Sequence, residues 1–600
     1  VLLRLRQLSL SYSWKTFAFD STNFKGMTTK AYLNVVLVGS ILLAVLMNAS
    51  DARPAAFNAP SNHYNWLSSS GRLQGLECSL CKDFVALVRK ALDSGESSYV
   101  PEIAKLVCII KYKEAAQVCD GVVTLWRPIF KFAIDKVYLS PENVCGQYLG
   151  SGCSNSTIPE LNYYWNVTLP SVPKPPVTPI QPPTPGARRL RVAHISDVHV
   201  DMLYKVGASA DCGLPTCCRV SDGDPSTSKR RAAYWGDYNC DLPWWSLDRI
   251  FSQLNRTEKF DAIYFTGDLP DHHVWEQTRE QQVDIYRNFT ALLSKYFPDV
   301  AFVAALGNHE SVPVNSFPPR YIKGNESMDW YYPALWEFLS PWVPSDQKEN
   351  VLKGGYYTQL LYPGFRVVSL NLNYGNNLNW WILQNITDPD DQLQWLISVL
   401  QRAESNGEKV HILGHIPSSD LIKGYSWNYF KIAERYESTI TGHFFGHTHH
   451  DELGVYFDPA NTTRAFGTAY IVGSLKTDDN PSYRVYEVDG GYANASWQVL
   501  DYYNYIFNLT EANQAGQQRD PTWILEYQPT KDYGLRYAFP AEWAKLIDRF
   551  EQSDELFQLY IRFYHKSHLL SSQQPCTGDC KRQFICRMRN MRSGDDSIPC

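Results

Sequence analysis

Gly446-His447-Thr448-His449-His450-Asp451 (GHTHHD) is the stretch on which the reading of this sequence turns. Two imidazoles two residues apart suit a pair of neighbouring metal ions, but a solvated histidine-rich turn is spelled the same way. What surrounds the stretch decides between them. It closes an apolar run, ITGHFFGHTHH (440–450), that breaks into a polar loop. Similar runs are RRLRVAHISD (188–197), DAIYFTGDLPDHH (261–273), VAFVAALGNHE (300–310), FRVVSLNLN (365–373) and KVHILGHIP (409–417). Helical patterns such as DQLQWLISVLQRAES lie between several of them. Strand–loop–helix alternation predicts an α/β fold with active loops at strand ends.

A chain of 600 residues predicts two to four domains. Hydrophobic residues at 44% and charged residues at 20% describe an ordinary globular protein, and a net charge of −6 gives no electrostatic case for nucleic acid as a partner. Aromatics reach 14%, enough for large cores or for surface that meets lipid or sugar. The first methionine is Met27, and residues 1–26 read as an upstream extension. From Met27, Lys30 gives a positive start, Leu33 to Met47 an apolar stretch, and Ala49, Ser50 and Ala52 small residues, so 27–52 reads as a secretory signal peptide. No other run is long enough to predict a transmembrane span. The 14 cysteines fall in groups of six, four and four, which in an exported chain predicts disulfides. Glycosylation sequons at Asn155, Asn166, Asn255, Asn288, Asn325, Asn385, Asn461, Asn494 and Asn508 agree with export, to the cell exterior or the lysosome.

The first cysteine group (Cys78, Cys81, Cys108, Cys119, Cys145, Cys153) sits among amphipathic helical patterns; in CSLCKDFVALVRKAL, Leu80, Phe84, Leu87, Val88 and Leu92 recur at three- and four-residue spacing. Residues 74–157 resemble a saposin domain. That resemblance implies the nested pairs Cys78–Cys153, Cys81–Cys145 and Cys108–Cys119, and helices that lay apolar faces on a membrane. The segment 169–186 holds eight prolines and predicts an extended, stiff linker within 165–187. Residues 188–484 then form the catalytic domain. A C-terminal domain, 485–600, begins with Tyr-rich strand, continues with helix and ends in four cysteines.

The polar residues at the strand ends are Asp197 and His199 (DVH), Asp268 (GD), Asn308 and His309 (GNHE), His415 (GH), and His447 and His449 (GHTH). Imidazole, carboxylate and amide are the mixed ligands that a pair of divalent ions about 3.5–4 Å apart requires, with one carboxylate bridging. The ordered set resembles the calcineurin-like metallophosphoesterases and so implies their helix-flanked β-sandwich. It implies Asp197, His199 and His449 on one metal, Asn308, His415 and His447 on the other, and Asp268 between them. The export signal favours two Zn2+ per chain, though the ligands also suit iron or manganese. The same resemblance sets His309 near the scissile phosphate; His272 lies four residues after Asp268, and both are candidates to protonate the leaving oxygen. His450 and His273 read as loop residues, His194 as packing beneath the site, and Glu310 as orienting His309 or meeting substrate.

The domain order, with NHESVPVNSFPP (308–319), ITDPDDQLQWL (386–396), WNYFKIAERYE (427–437) and FFGHTHHDE (444–452), resembles the acid sphingomyelinase family over residues 76–600. This implies hydrolysis of sphingomyelin to ceramide and phosphocholine by a two-metal-activated water, on membrane surfaces reached through the saposin-like domain, by a monomer. A secreted phosphodiesterase of nucleotides is the alternative. Unlike vertebrate relatives, which carry an extra catalytic-domain pair and a free C-terminal thiol, this chain has no cysteine between Cys240 and Cys576. The remaining bridges expected are Cys212–Cys217, Cys218–Cys240, Cys576–Cys580 and Cys586–Cys600.

Overall fold

The structure, a computed structural model, describes most of residues 78–90, together with 100–111, 114–137, 139–226, 228–568 and 575–595. The expected extension (1–26) and signal peptide (27–52) lie outside the described residues. The chain divides into two compact units, 1–59 with 106–114, and 60–105 with 115–600. In the first, the described residues comprise the end of a helix, Val100–Lys111.

The second unit is built on two six-stranded sheets. Its strands are β1 (Arg189–Ile195), β2 (Val200–Asp201), β3 (Leu242–Pro243), β4 (Ala262–Phe265), β5 (Ala301–Ala304), β6 (Tyr357–Tyr362), β7 (Phe365–Ser369), β8 (Lys409–Leu413), β9 (Ile440–Phe445), β10 (Glu452–Asp458), β11 (Asn461–Ile471), β12 (Ser482–Asp489), β13 (Val499–Ile506) and β14 (Ile524–Tyr527). One sheet runs β14-β13-β12-β1-β4-β5 and the other β10-β11-β9-β8-β7-β6, with β2 and β3 a separate short pair. Within them, β1-β4-β5 and β7-β8-β9 are parallel. Both faces of these strands are covered, so most of their residues are buried.

Where the sheets meet, Phe444 of β9 packs edge-on against Tyr264 of β4 and Tyr486 of β12, each at 5.1 Å. The Tyr264 hydroxyl meets His411 Nδ1 of β8 at 2.9 Å, and Ser369 Oγ donates to Ala304 O at 2.7 Å. The outer faces carry helices: Phe289 of Arg279–Tyr296 covers Phe265, and Tyr429 of Lys423–Arg435 covers His443. The result is a β-sandwich flanked by helices, the calcineurin-like arrangement.

The expected domain edge at 484/485 falls inside β12, which pairs with β1 from Arg484 to Asp489. Residues up to Tyr527 therefore share the catalytic sheet. Beyond them come the helices Pro540–Gln552, Asp554–Tyr564 and Asp579–Arg589.

Towards the N-terminus lie the helices Ala116–Lys136 and Pro141–Leu149; Cys81–Cys145 ties the second to the 78–90 segment, and Cys78–Cys153 ties that segment to the turn that follows it. Phe130 and Phe132 pack on Trp380 and Trp381 at 5.3 and 4.7 Å. Gly121 lies so close to the 273–276 loop that a Cβ there would stand 2.0 Å from Trp275 O. The proline-rich segment is extended, but it does not swing free. Trp165 Nε1 donates to Ile386 O at 3.0 Å, and Asn428 grips the backbone on both sides, accepting from Val167 N at 2.8 Å and donating to Trp165 O at 2.6 Å.

Cys108 and Cys119 are both disulfide-bonded. Further bridges join Cys212 to Cys217, Cys218 to Cys240 and Cys576 to Cys580. The expected Cys586–Cys600 bridge is corrected: Cys586, half-buried on the helix Asp579–Arg589, is a free thiol. Cys600 lies outside the described residues. Eight of the nine sequon asparagines are exposed. Asn508 is half-buried and caps the helix Leu509–Ala515, accepting from Glu511 N at 3.1 Å. Among the described residues, no helix is long and apolar enough to cross a membrane.

Candidate metal centre

Five loops leave the carboxyl ends of parallel strands and turn inward, and their backbones are unusual. Asp197 (φ 50°), His199 (44°), Asp268 (59°), His447 (74°) and His449 (63°) all adopt the left-handed conformation. Asp and His tolerate it better than most residues, but each instance is unfavourable and persists only where surrounding structure enforces it. Such turns aim successive side chains at one point instead of to alternate faces. Gly446 is required by close approach: a Cβ there would lie 1.9 Å from Ser196 Oγ and 2.5 Å from Asp197 Oδ2.

The seven expected ligands converge. His199 Nε2 faces His449 Nε2 at 3.0 Å, and Asp197 Oδ1 lies 3.9 and 3.6 Å from those nitrogens. Beside them, Asn308 Oδ1 stands 3.0 Å from both His415 Nε2 and His447 Nδ1, which are 3.2 Å apart. Asp268 Oδ2 sits between the groups, 3.2 Å from His415 Nε2 and 3.5 Å from His199 Nε2. Its other oxygen accepts from His309 N at 2.8 Å.

Neighbouring groups fix the ring orientations. His199 Nδ1 is 2.9 Å from Pro270 O, His415 Nδ1 is 2.6 Å from Thr266 O, and His449 Nδ1 is 2.5 Å from Asp478 Oδ2. A carbonyl or carboxylate accepts only from an N–H, so these rings carry their proton on Nδ1 and present bare Nε2 lone pairs inward. Lone pairs opposed at 3.0 Å repel unless a cation lies between them. The donor set thus fits divalent metal ions.

His309 is buried, with Nδ1 3.3 Å from Asp271 O, and burial pushes its pKa down to about 4. The His272 ring stands 3.9 Å from His199 and 4.6 Å from His309, centroid to centroid. Burial lowers its pKa while Asp241 opposes. Asp241 holds His272 twice, at its backbone N and at Nδ1, both at 2.7 Å. Burial works against Asp241's charge, but His272 and Lys476 hold its carboxyl well below the usual range. These rings line a cleft of about 730 Å³ that also reaches Tyr148, Leu378 and Lys476.

Asp241 and Asp478 were not legible as site residues. Each lies in an ordinary loop, CDLP or KTDDNP, and only the fold brings it to a ring nitrogen. Glu310 neither orients His309 nor meets the cleft; it is fully buried, accepting from Leu269 N at 2.9 Å and Tyr286 Oη at 2.6 Å. His194 packs beneath the site as expected, between Thr266 and Tyr486. His273 and His450, expected as loop residues, are buried.

Residues 190–451 match the profile of the calcineurin-like phosphoesterases, and residues 466–597 match the acid sphingomyelin phosphodiesterase C-terminal region. The chain is 41% identical to the sphingomyelin phosphodiesterase of Bos taurus over 527 residues, covering 87% of this chain and 83% of that one. The human sphingomyelin phosphodiesterase is 38% identical, with 87% and 82% covered. The chain belongs to the acid sphingomyelinase family. As such it is a phosphodiester hydrolase. The human acid sphingomyelinase-like phosphodiesterase 3b is 31% identical, but that match covers only 66% of this chain. The family's C-terminal region contributes Lys476 and Asp478 to the centre, so it completes the site as well as the sheet.

Proposed function

We propose that this chain hydrolyses sphingomyelin to ceramide and phosphocholine at membrane surfaces, outside the cytosol, in the extracellular space or the lysosome. The supporting observation is the convergence of Asp197, His199, Asp268, Asn308, His415, His447 and His449, with inward lone pairs as close as 3.0 Å. Asp197, His199 and His449 would hold one Zn2+, Asn308, His415 and His447 a second, and Asp268 both. Such a pair supplies charge neutralisation for the phosphate and activation of water.

The chain's own groups do the rest. Cleavage breaks the bond between phosphorus and the ceramide oxygen; water's oxygen goes to phosphorus, and the ceramide oxygen needs a proton. His272 and His309 flank the cleft. Asp241 pins His272 at Nδ1, leaving Nε2 to deliver that proton, and His309, held at Asp271 O, meets the phosphate from the other side. The cysteine bridges and exposed sequons support a place in an oxidising compartment. The helical region supports a membrane substrate, because Tyr148 joins the cleft wall.

The test is phosphocholine release from sphingomyelin vesicles, with and without added zinc and chelator, beside soluble nucleotide phosphodiesters. Sphingomyelin turnover that chelation abolishes and zinc restores is expected. Asn308→Ala or His447→Ala removes turnover but not vesicle binding. Preference for nucleotides would overturn the substrate, and persistent turnover in those variants would overturn the site.

A further inference from the structure

Behind the metal centre lies a second cluster, whose residues the chemistry above does not use. His450 follows the ligand His449, Asp479 follows Asp478, and His565 caps the helix Asp554–Tyr564. Each offers one ligand atom, and the three atoms lie within 4.8 Å of one another. His450 is 7% exposed, and its ring stacks on Tyr564 at 4.3 Å. Its Nδ1 and the Nδ1 of His565 are both buried with no hydrogen-bond partner. A buried polar atom left so is destabilising, and two in one cluster call for an explanation. Asp479 Oδ2 is 3.8 Å from His450 Nδ1, too far for a hydrogen bond, while His568 Nδ1 holds Oδ1 at 2.6 Å. That contact fixes the carboxylate as an outer partner fixes a metal ligand. The nearby cation, Lys566, is engaged elsewhere, with Ser474 Oγ at 2.8 Å and Asp478 at 3.5 Å.

We propose that His450, Asp479 and His565 form a third divalent-metal site, selective for Zn2+ or a similar borderline cation, which clamps the GHTHHD turn to the C-terminal helices. Two imidazoles and one carboxylate are a common zinc set, with water completing the tetrahedron. The bound ion partners both orphan nitrogens. It also fixes the backbone that carries His449 and its support, Asp478. The argument is independent of the substrate assigned above.

The full chain is stripped with chelator, reloaded with Zn2+, freed of excess metal and analysed for metal per chain. His450→Val and His565→Gln are each expected to hold one zinc fewer than the wild type. His565→Gln should keep turnover of a soluble phosphodiester within about twofold. Crystals of the wild type add a reading that needs no variant: an anomalous peak at the zinc edge among the three side chains. Equal zinc content in wild type and variants, or no peak there, overturns the proposal.

Discussion

Asp241 shows what a single buried carboxylate does at this centre. It grips His272 at the backbone and at Nδ1, setting both the ring's position and its tautomer. In Asp241→Asn the shape survives while the charge is lost. We expect kcat on sphingomyelin vesicles to fall about 100-fold, with KM and zinc content little changed. Loss of zinc would instead make Asp241 a support of the metal. Asp478 is the complementary case, since it accepts from His449 Nδ1. Asp478→Ala is expected to weaken zinc binding about 10- to 100-fold in chelator competition. Unaltered affinity would mean that the Thr–Asp–Asp loop is not part of the centre.

At the scale of elements, β8 carries His411 into the interior between the sheets, and β9 sets His443 on its other face, beneath Tyr429 of the covering helix. His411 and His443 are buried and hydrogen-bonded, and burial lowers the pKa of each to about 3. The unfolded chain binds a proton at each near pH 6.5, and the folded chain does not until about 3. Their contribution to stability is therefore full above pH 6.5 and drains as pH falls toward 3. At pH 4.5 the loss is about 3 kcal/mol per histidine. The melting temperature should drop between pH 7 and pH 4.5, and His443→Gln, which cannot titrate, should narrow that gap by a few degrees. A gap unchanged in the variant would place the acid sensitivity in other groups.

Across the whole molecule, the proline-rich segment acts as a strap along the catalytic surface. Asn428 is fully buried and closes two of its backbone hydrogen bonds. Asn428→Ala should release the segment, making residues 165–187 much more sensitive to proteolysis while turnover of a soluble phosphodiester stays within a few-fold. Unchanged cleavage would show that the remaining contacts suffice. The α/β class, the strand ends and the ligand types were all legible in the chain, because apolar runs that break into Asp, Asn and His record burial followed by a polar turn. The nested cysteines and the proline run marked the helical region and the linker for the same local reason. What lies far apart in sequence was not legible. Asp241 meets His272 across 31 residues and Asp478 meets His449 across 29. The strands after residue 484 complete a sheet begun at 189, and His565 comes to His450 from the far end of the chain. Local pattern fixes which residues must be buried and which must turn. Only packing, which brings two sheets and the helices around them together, decides which polar side chains share one buried space.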